Sequence, residues 1–373
     1  MKKILLIFLC FSMIFMTACW DMIDLEDRIL PYSLAIDLST NDSKNPLLFC
    51  FSYPNINALG KNPTQEELVY IINVNAKSLF DATNELTSKE HHPIFLKHLN
   101  VLLMSEAVFT NEMHLRQILD GIQRDYLINK MLYLLITKAS AQDLLEKKLE
   151  SKRQETIEGL FVSLLHNEQE SNKFTPIRIM EFIHDIDKRK VAVIPLAASV
   201  DDIEMAGGGL FKDYKFVGYI DEDMNRDVCI LNDKAHTTEI YLDYNETNLS
   251  LQLTHINSKK RLVKEDELKF EYNIKIDGQI QEYILDENKK IDSSEVTEDM
   301  EKAINKFIES QLSSTVEKLQ KEYNADVLGI LEYLNKFHPK IYKEVEANWD
   351  SIFPHIDIDV KVNVKIRRRG LNV

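Results

Sequence analysis

The chain has 373 residues, 45% of them hydrophobic, and its 60 acidic and 45 basic side chains give a formal charge of −15. That length exceeds the roughly 100–200 residues of one domain, and the apolar share is ample for packed cores. Such acidity argues against nucleic-acid binding and against a body held flat on anionic lipid by charge alone.

The first element is a targeting segment. Lys2 and Lys3 precede an apolar run, residues 4–15, too short to span a bilayer. Met16-Thr17-Ala18-Cys19 closes it with small residues before a cysteine. This predicts a bacterial lipoprotein signal over residues 1–18, cleaved after Ala18, with a diacylglyceryl group on the Cys19 thiol. Met16 stands where leucine is usual; an ordinary secretory peptide is the plainer alternative. No later stretch is long and apolar enough to cross a membrane. Cys10 leaves with the signal. Cys50 and Cys229 remain, each in an apolar run that reads as a buried strand, and their spacing leaves a disulfide undecided.

Strands are expected at 29–38, with Leu34 and Ile36 inward, then at 46–53 and 68–73, with a loop over 55–67. A helical stripe covers 76–87. The apolar run 99–104 precedes a helix over 111–124 whose inner face is Leu115, Ile118, Leu119 and Ile122. A strand at 131–136 and helices at 141–149 and 155–166 follow. Thr175-Pro176 is expected to open another helix, Thr as cap and Pro in the first turn. A strand at 191–200 ends the first region, so the main boundary is placed at 200/201.

The second region alternates cleanly. Strands are expected at 214–220, 239–243, 249–255 and 268–276, and at 356–367 with Ile356 to Ile366 on one face. A long helix capped by Thr297 carries the stripe Ile304, Phe307, Ile308, Leu312, Val316, Leu319 and Tyr323, and should lie across the sheet. A shorter helix covers 327–336. The fold class is α+β and multidomain, with mixed sheets and packed helices: a signal at 1–18, an α/β-type region at 19–200, and at 201–373 a mostly antiparallel sheet covered by a long helix.

Chemistry is sparse. The chain has no nucleophile elbow, phosphate-loop, zinc-protease or CxxC pattern. Gly207-Gly208-Gly209 lacks the Lys-Ser/Thr of a phosphate loop and reads as a turn leading into a strand. His91, His92 and His98, with Glu90 and Glu106, are the densest metal-type cluster, and read as turn histidines. Arg367 and Arg369 share the wet face of the last strand, where acidic neighbours or lipid phosphate could meet them. No catalytic residue, metal or cofactor is assigned.

Several segments together resemble the Ger(x)C family of spore germination lipoproteins. Cys19-Trp20-Asp21 follows the lipobox, then Ile36-Asp37, with Ala35 where the family has glycine. Phe95 to His98 and Val101 to Ala107, including Glu106, match a second stretch, with Asp120 and Arg124-Asp125 after it. Gly209 to Ile220, including Gly218, matches a third. Asp326 to Gly329, Pro339, Trp349, Phe353-Pro354 and Arg367 to Gly370 form a C-terminal signature. The resemblance implies a non-enzymatic subunit on the outer face of the spore inner membrane, held by a lipid anchor. It implies two integral-membrane partner subunits and a response to nutrients, with direct nutrient contact left open. It also implies structural or interface roles for Trp20, Asp21, His98, Glu106, Arg124, Gly218, Trp349 and Gly370. A transporter's substrate-binding lipoprotein is the alternative; the alternating strands after residue 200 disfavour it, and no paired carboxylates support an envelope hydrolase.

Overall fold

A computed structural model describes residues 28–40, 42–55, 69–90, 93–147, 156–167, 172–199, 203–244, 247–283 and 294–368. Ala18, Cys19, Trp20, Asp21, His91, His92, Arg369 and Gly370 lie outside the described residues.

Two sheets organise the chain. The first contains β1 (Ser33–Leu38), β2 (Leu47–Pro54), β3 (Val69–Ala76), β4 (Val101–Ser105), β5 (Tyr133–Thr137), β6 (Val191–Ser199), β7 (Ile203–Lys212) and β8 (Lys215–Ile220). Their order is β3-β2-β1-β4-β5-β6-β7-β8, and β1, β4 and β5 run parallel. The inner strands are covered on both faces, which is why β1 and β4 read as nearly unbroken apolar runs. Leu34 and Ile36 enter one core, as expected, and Ala35 joins Cys50 in the core on the other face.

Helices cover both faces. On one lie α1 (Leu79–Glu90), α2 (Glu106–Thr110), α3 (Glu112–Arg124) and α6 (Ile179–Arg189); on the other lie α4 (Ala141–Leu145) and α5 (Ile157–Asn167). The Asn111 side chain caps α3 by accepting from the His114 N–H, and Leu115, Ile118, Leu119 and Ile122 are buried as their spacing predicts.

The second sheet holds β9 (Thr237–Tyr244), β10 (Thr247–Lys264), β11 (Lys269–Tyr283) and β12 (Ile358–Arg368), in the order β12-β11-β10-β9. Only the β11–β12 pair is parallel. A parallel pair needs a long crossover, and α8 (Ser294–Lys321) is the longest element in it, with Ile304, Ile308, Leu312, Val316 and Leu319 buried. The remaining helices are α7 (Glu222–Leu231), α9 (Ile330–Phe337), α10 (Pro339–Val345) and α11 (Trp349–Ile352). The fold is therefore α+β with two mixed sheets, as the sequence pattern implies.

Four local expectations are corrected. Cys229 sits in α7, not a strand: Asp221 caps that helix by accepting from the Met224 N–H at 2.8 Å, and Glu222 and Asp223 suit its positive end. Thr175-Pro176 does not open α6, which starts at Ile179. The Thr175 hydroxyl donates to Asn225 Oδ1 at 3.2 Å, and residues 177–179 bond to β5 and the residue before it through backbone amides. The long helix starts at Ser294, ahead of Thr297. Gly207 to Gly209 lie within β7 rather than in a turn. A Cβ on Gly207 would stand 2.2 Å from the Ile220 carbonyl oxygen, and one on Gly208 2.7 Å from that of Ile194. The glycines let three backbones approach, a requirement that composition alone disguises as a loop.

Candidate functional site

The parallel strands give the first sheet two rims. At the lower rim, where β1, β4 and β5 begin, the chain comes in at Arg28, over the Phe95 ring at 4.6 Å. Ile29 N–H donates to Pro93 O, and Phe95 N–H donates to Ile29 O. His98 ends the short 3-10 turn Leu96–His98 here and is exposed. Arg124 ends α3 at the same rim, pairing with Asp120 one turn back at 2.8 Å, exposed on both sides. The Asp120 carboxyl is held below its usual range by that guanidinium. An exposed pair of this kind contributes little to stability.

Glu106 lies at the upper rim, so β4 separates it from His98. Its carboxylate accepts the Tyr219 hydroxyl at 2.7 Å. Burial, and then Glu106, push the Tyr219 phenol above its ordinary range. The Lys138 ammonium lies 4.3 Å from the centre of the Tyr219 ring. The Tyr323 hydroxyl donates to the Tyr219 carbonyl at 2.8 Å, its ring lying over Gly218. Two predicted residues, Glu106 and Gly218, thus meet through Tyr219, in a chain of contacts from α2 through β8 to the turn after α8. Trp349 stands apart. It is buried in α11 against Phe353, ring centres 5.8 Å apart, with no acceptor for its indole N–H. Asp37 receives the Ala141 and Gln142 N–H groups at 2.9 and 2.8 Å, fixing the start of α4. Asp326 does the same for α9 through Ile330 and Leu331, and burial raises its carboxyl. Arg367 pairs with Asp277 at 2.8 Å, one of the two roles its position allowed.

A cleft of about 570 Å³ opens between the two halves, beside a second hollow of about 430 Å³; Thr175 and Pro176 border both. Asn225 borders the larger and Asn172 the smaller, joined in a polar knot: Asn225 Nδ2 donates to Asn172 O at 2.9 Å, and Asn172 Nδ2 donates to Thr237 O at 2.6 Å. Each of these side-chain amides donates to backbone, and Asn225 Oδ1 accepts the Thr175 hydroxyl, so the knot fastens α7 to β9. Among the described residues no three His, Cys, Asp or Glu side chains converge as a metal site would need. The two buried thiols lie in different cores, Cys50 with β1 and Cys229 in α7.

Comparison with known proteins follows the same division. Residues 21–199 match the family described as "Spore germination protein N-terminal domain", and residues 206–370 match "Spore germination B3/GerAC like, C-terminal". The chain belongs to the Ger(x)C family of spore germination proteins. It is 22% identical to "Spore germination protein B3" of Bacillus subtilis (strain 168), over 96% of each chain. It is 22% identical to "Spore germination protein KC" of the same organism, over 99% of this chain and 96% of that one. A solved structure, "Crystal Structure of the GerBC protein", shares the fold with a TM-score of 0.60 at 19% identity, over 89% of this chain and 96% of that one. What the sequence missed in this Ger(x)C member is Tyr219 as the hinge pin between Glu106 and Tyr323. A phenol inside an alternating strand carries no mark of two partners more than a hundred residues away on either side.

Proposed function

We propose that this chain is the lipid-anchored subunit of a spore nutrient germinant receptor. In this reading residues 1–18 are removed and Cys19 carries the lipid. The body stands on the outer face of the spore inner membrane and works with two integral-membrane subunits. The observation that carries it is the pair of family matches at 21–199 and 206–370 directly after a lipobox. Acyl chains contribute about 0.8 kcal/mol per buried methylene, so two of them hold a soluble body in place. Confinement to a thin shell raises the effective concentration of the body toward membrane partners and lets weak contacts suffice. The subunit has no catalytic step. Its family-matching carboxylates at Asp37, Glu106 and Asp326 fasten elements together instead, and Gly218 leaves room for the Tyr323 ring.

The test is Cys19→Ala at the native locus. The protein should leave the membrane fraction, and germination through this receptor should fall at least about tenfold, as expected when a tether that supplies effective concentration is cut. Normal germination by spores in which the protein is soluble refutes the reading.

A further inference from the structure

Eight residues, nine steps of the chain, separate Cys19 from Arg28, where the described body starts. Fully extended they reach about 30 Å, and as a flexible chain they span on the order of 17 Å. The part of the body nearest the lipid is therefore the lower rim of the first sheet. The loop after α3 is packed into that rim: Asn129 N–H donates to Leu96 O at 3.3 Å, and its side-chain amide donates to Leu99 O at 2.9 Å. The loop is also held internally. Asp125 accepts the Leu127 N–H at 2.8 Å, and the Lys130 ammonium bonds the carbonyls of Ile122 and Asp125. On this fixed loop three large apolar side chains stand in solvent, with Tyr126 82%, Leu127 41% and Met131 55% exposed. Lys97, His98 and Arg124 are exposed on the same rim.

We propose that this rim, the Tyr126–Met131 loop flanked by Lys97 and Arg124, rests in the headgroup layer of the bilayer that holds Cys19. It thereby fixes the orientation of the body. The proposal rests on the lipid-anchored reading above and adds a second point of contact to it. A tyrosine suits the interface because its ring is apolar and its hydroxyl stays wet. Leucine and methionine bury beside it, and the basic side chains face lipid phosphate. A single tether alone would leave the body free to tumble. Tether and loop together turn one face toward the membrane and leave the upper rim pointing away. The upper rim has its own exposed apolar side chains, Phe80 at 72% and Met113 at 67%. They stand roughly 20 Å from the lower rim, the length of a six-residue strand, and so serve as an internal control.

The test uses the acylated full-length protein in vesicles of phosphatidylethanolamine and phosphatidylglycerol. Tyr126→Cys, Met131→Cys and Met113→Cys each carry one polarity-sensitive fluorophore; Cys50 and Cys229 are buried and do not compete. Labels at 126 and 131 should shift to the blue, and nitroxide headgroup lipids should quench them several-fold more than the label at 113. Equal quenching at all three positions overturns the proposal while the protein still floats with the vesicles. Shielding of 126 only after the integral-membrane subunits are added also overturns it, and gives the surface to a protein partner. Failure of the unlabelled protein to float refutes the lipid anchor itself, and this proposal with it.

Discussion

Gly218 sets the position of a tyrosine by having no side chain. Its φ is +153°, and a Cβ there would stand 2.8 Å from Tyr323 Cε1. Gly218→Ala should push the Tyr323 ring aside, break its bond to the Tyr219 carbonyl and cost about 1–3 kcal/mol in denaturant unfolding. Gly121→Ala is the matched control. It lies inside α3 with nothing within 4 Å of the new methyl, and should gain up to about 1 kcal/mol. A Gly218 variant as stable as the native chain would remove the packing argument. Asp227 is the second residue whose burial has a measurable sign. It accepts the Thr315 hydroxyl at 2.7 Å, and burial raises its carboxyl above the ordinary value near 3.8, against the opposing pull of Thr315 and Arg226. The folded state therefore holds the proton more tightly than the unfolded chain. The stabilisation from this group is complete below pH about 3.8 and is lost as pH rises through the raised value. Asp227→Asn keeps an acceptor for Thr315 without the charge. Its stability at pH 7 should equal or exceed that of the native chain. The difference should shrink and reverse toward pH 4, read from denaturation midpoints across that range.

At the scale of elements, α8 does more than bury an apolar stripe. β12 is an edge strand, and its outward N–H groups need acceptors or protection. Val362, Val364 and Ile366 donate to Glu309, Asn305 and Glu301 of α8 at 2.9, 2.7 and 2.9 Å. Four helical residues rise about 6 Å and two strand residues about 6.6 Å, so side chains at every fourth helical position match every second strand amide. Asn305→Ala strands the Val364 N–H and should cost about 1–3 kcal/mol. Asn305→Asp keeps the acceptor and should stay near native. Replacing all three by alanine uncovers the edge and should raise self-association in sedimentation. The apolar stripe of this helix was legible because burial repeats with the helical period. The polar ladder was not, because Glu301, Asn305 and Glu309 look like a solvent face until the strand they serve is in place. The same reason hid α7. Its run Val228 to Leu231 is buried nearly all round, and an apolar run of that length does not say whether helix or strand surrounds it. By contrast, the alternation of β12 and of β11 up to Ile276 was legible, since one face of each is dry and the other wet, but the continuation of β11 to Tyr283 and of β10 to Lys264 was not.

At the scale of the molecule, the two halves share a sheet. The family models divide the chain at 199/206, and the sequence places a boundary at 200/201. That division falls between β6 and β7, which pair antiparallel from Val191–Lys212 to Ser199–Ile203. Side chains alternate across the pair: Ala192, Ile194 and Phe211 enter the core of the first half, and Val191 and Leu210 enter the core of the second. Each core thus contains residues from the strands that bridge the division. The Tyr219–Glu106 bond and the Arg189–Glu332 pair at 3.1 Å cross it again. Cutting at 200/201 leaves β6 as a bare edge on one fragment and strips Phe211 from the other's partner core. We propose that residues 19–200 and 201–373 are units of sequence that fold as one cooperative body. Expressed apart, each should show exposed apolar surface by dye binding and lose a sharp unfolding transition. Mixed at unfolding, the intact chain should give a single midpoint by far-ultraviolet and aromatic signals alike. Two fragments that each melt sharply, and do not bind one another, would show that the shared strands contribute little. The bridging side chains would then be packing against a joint rather than forming a common core.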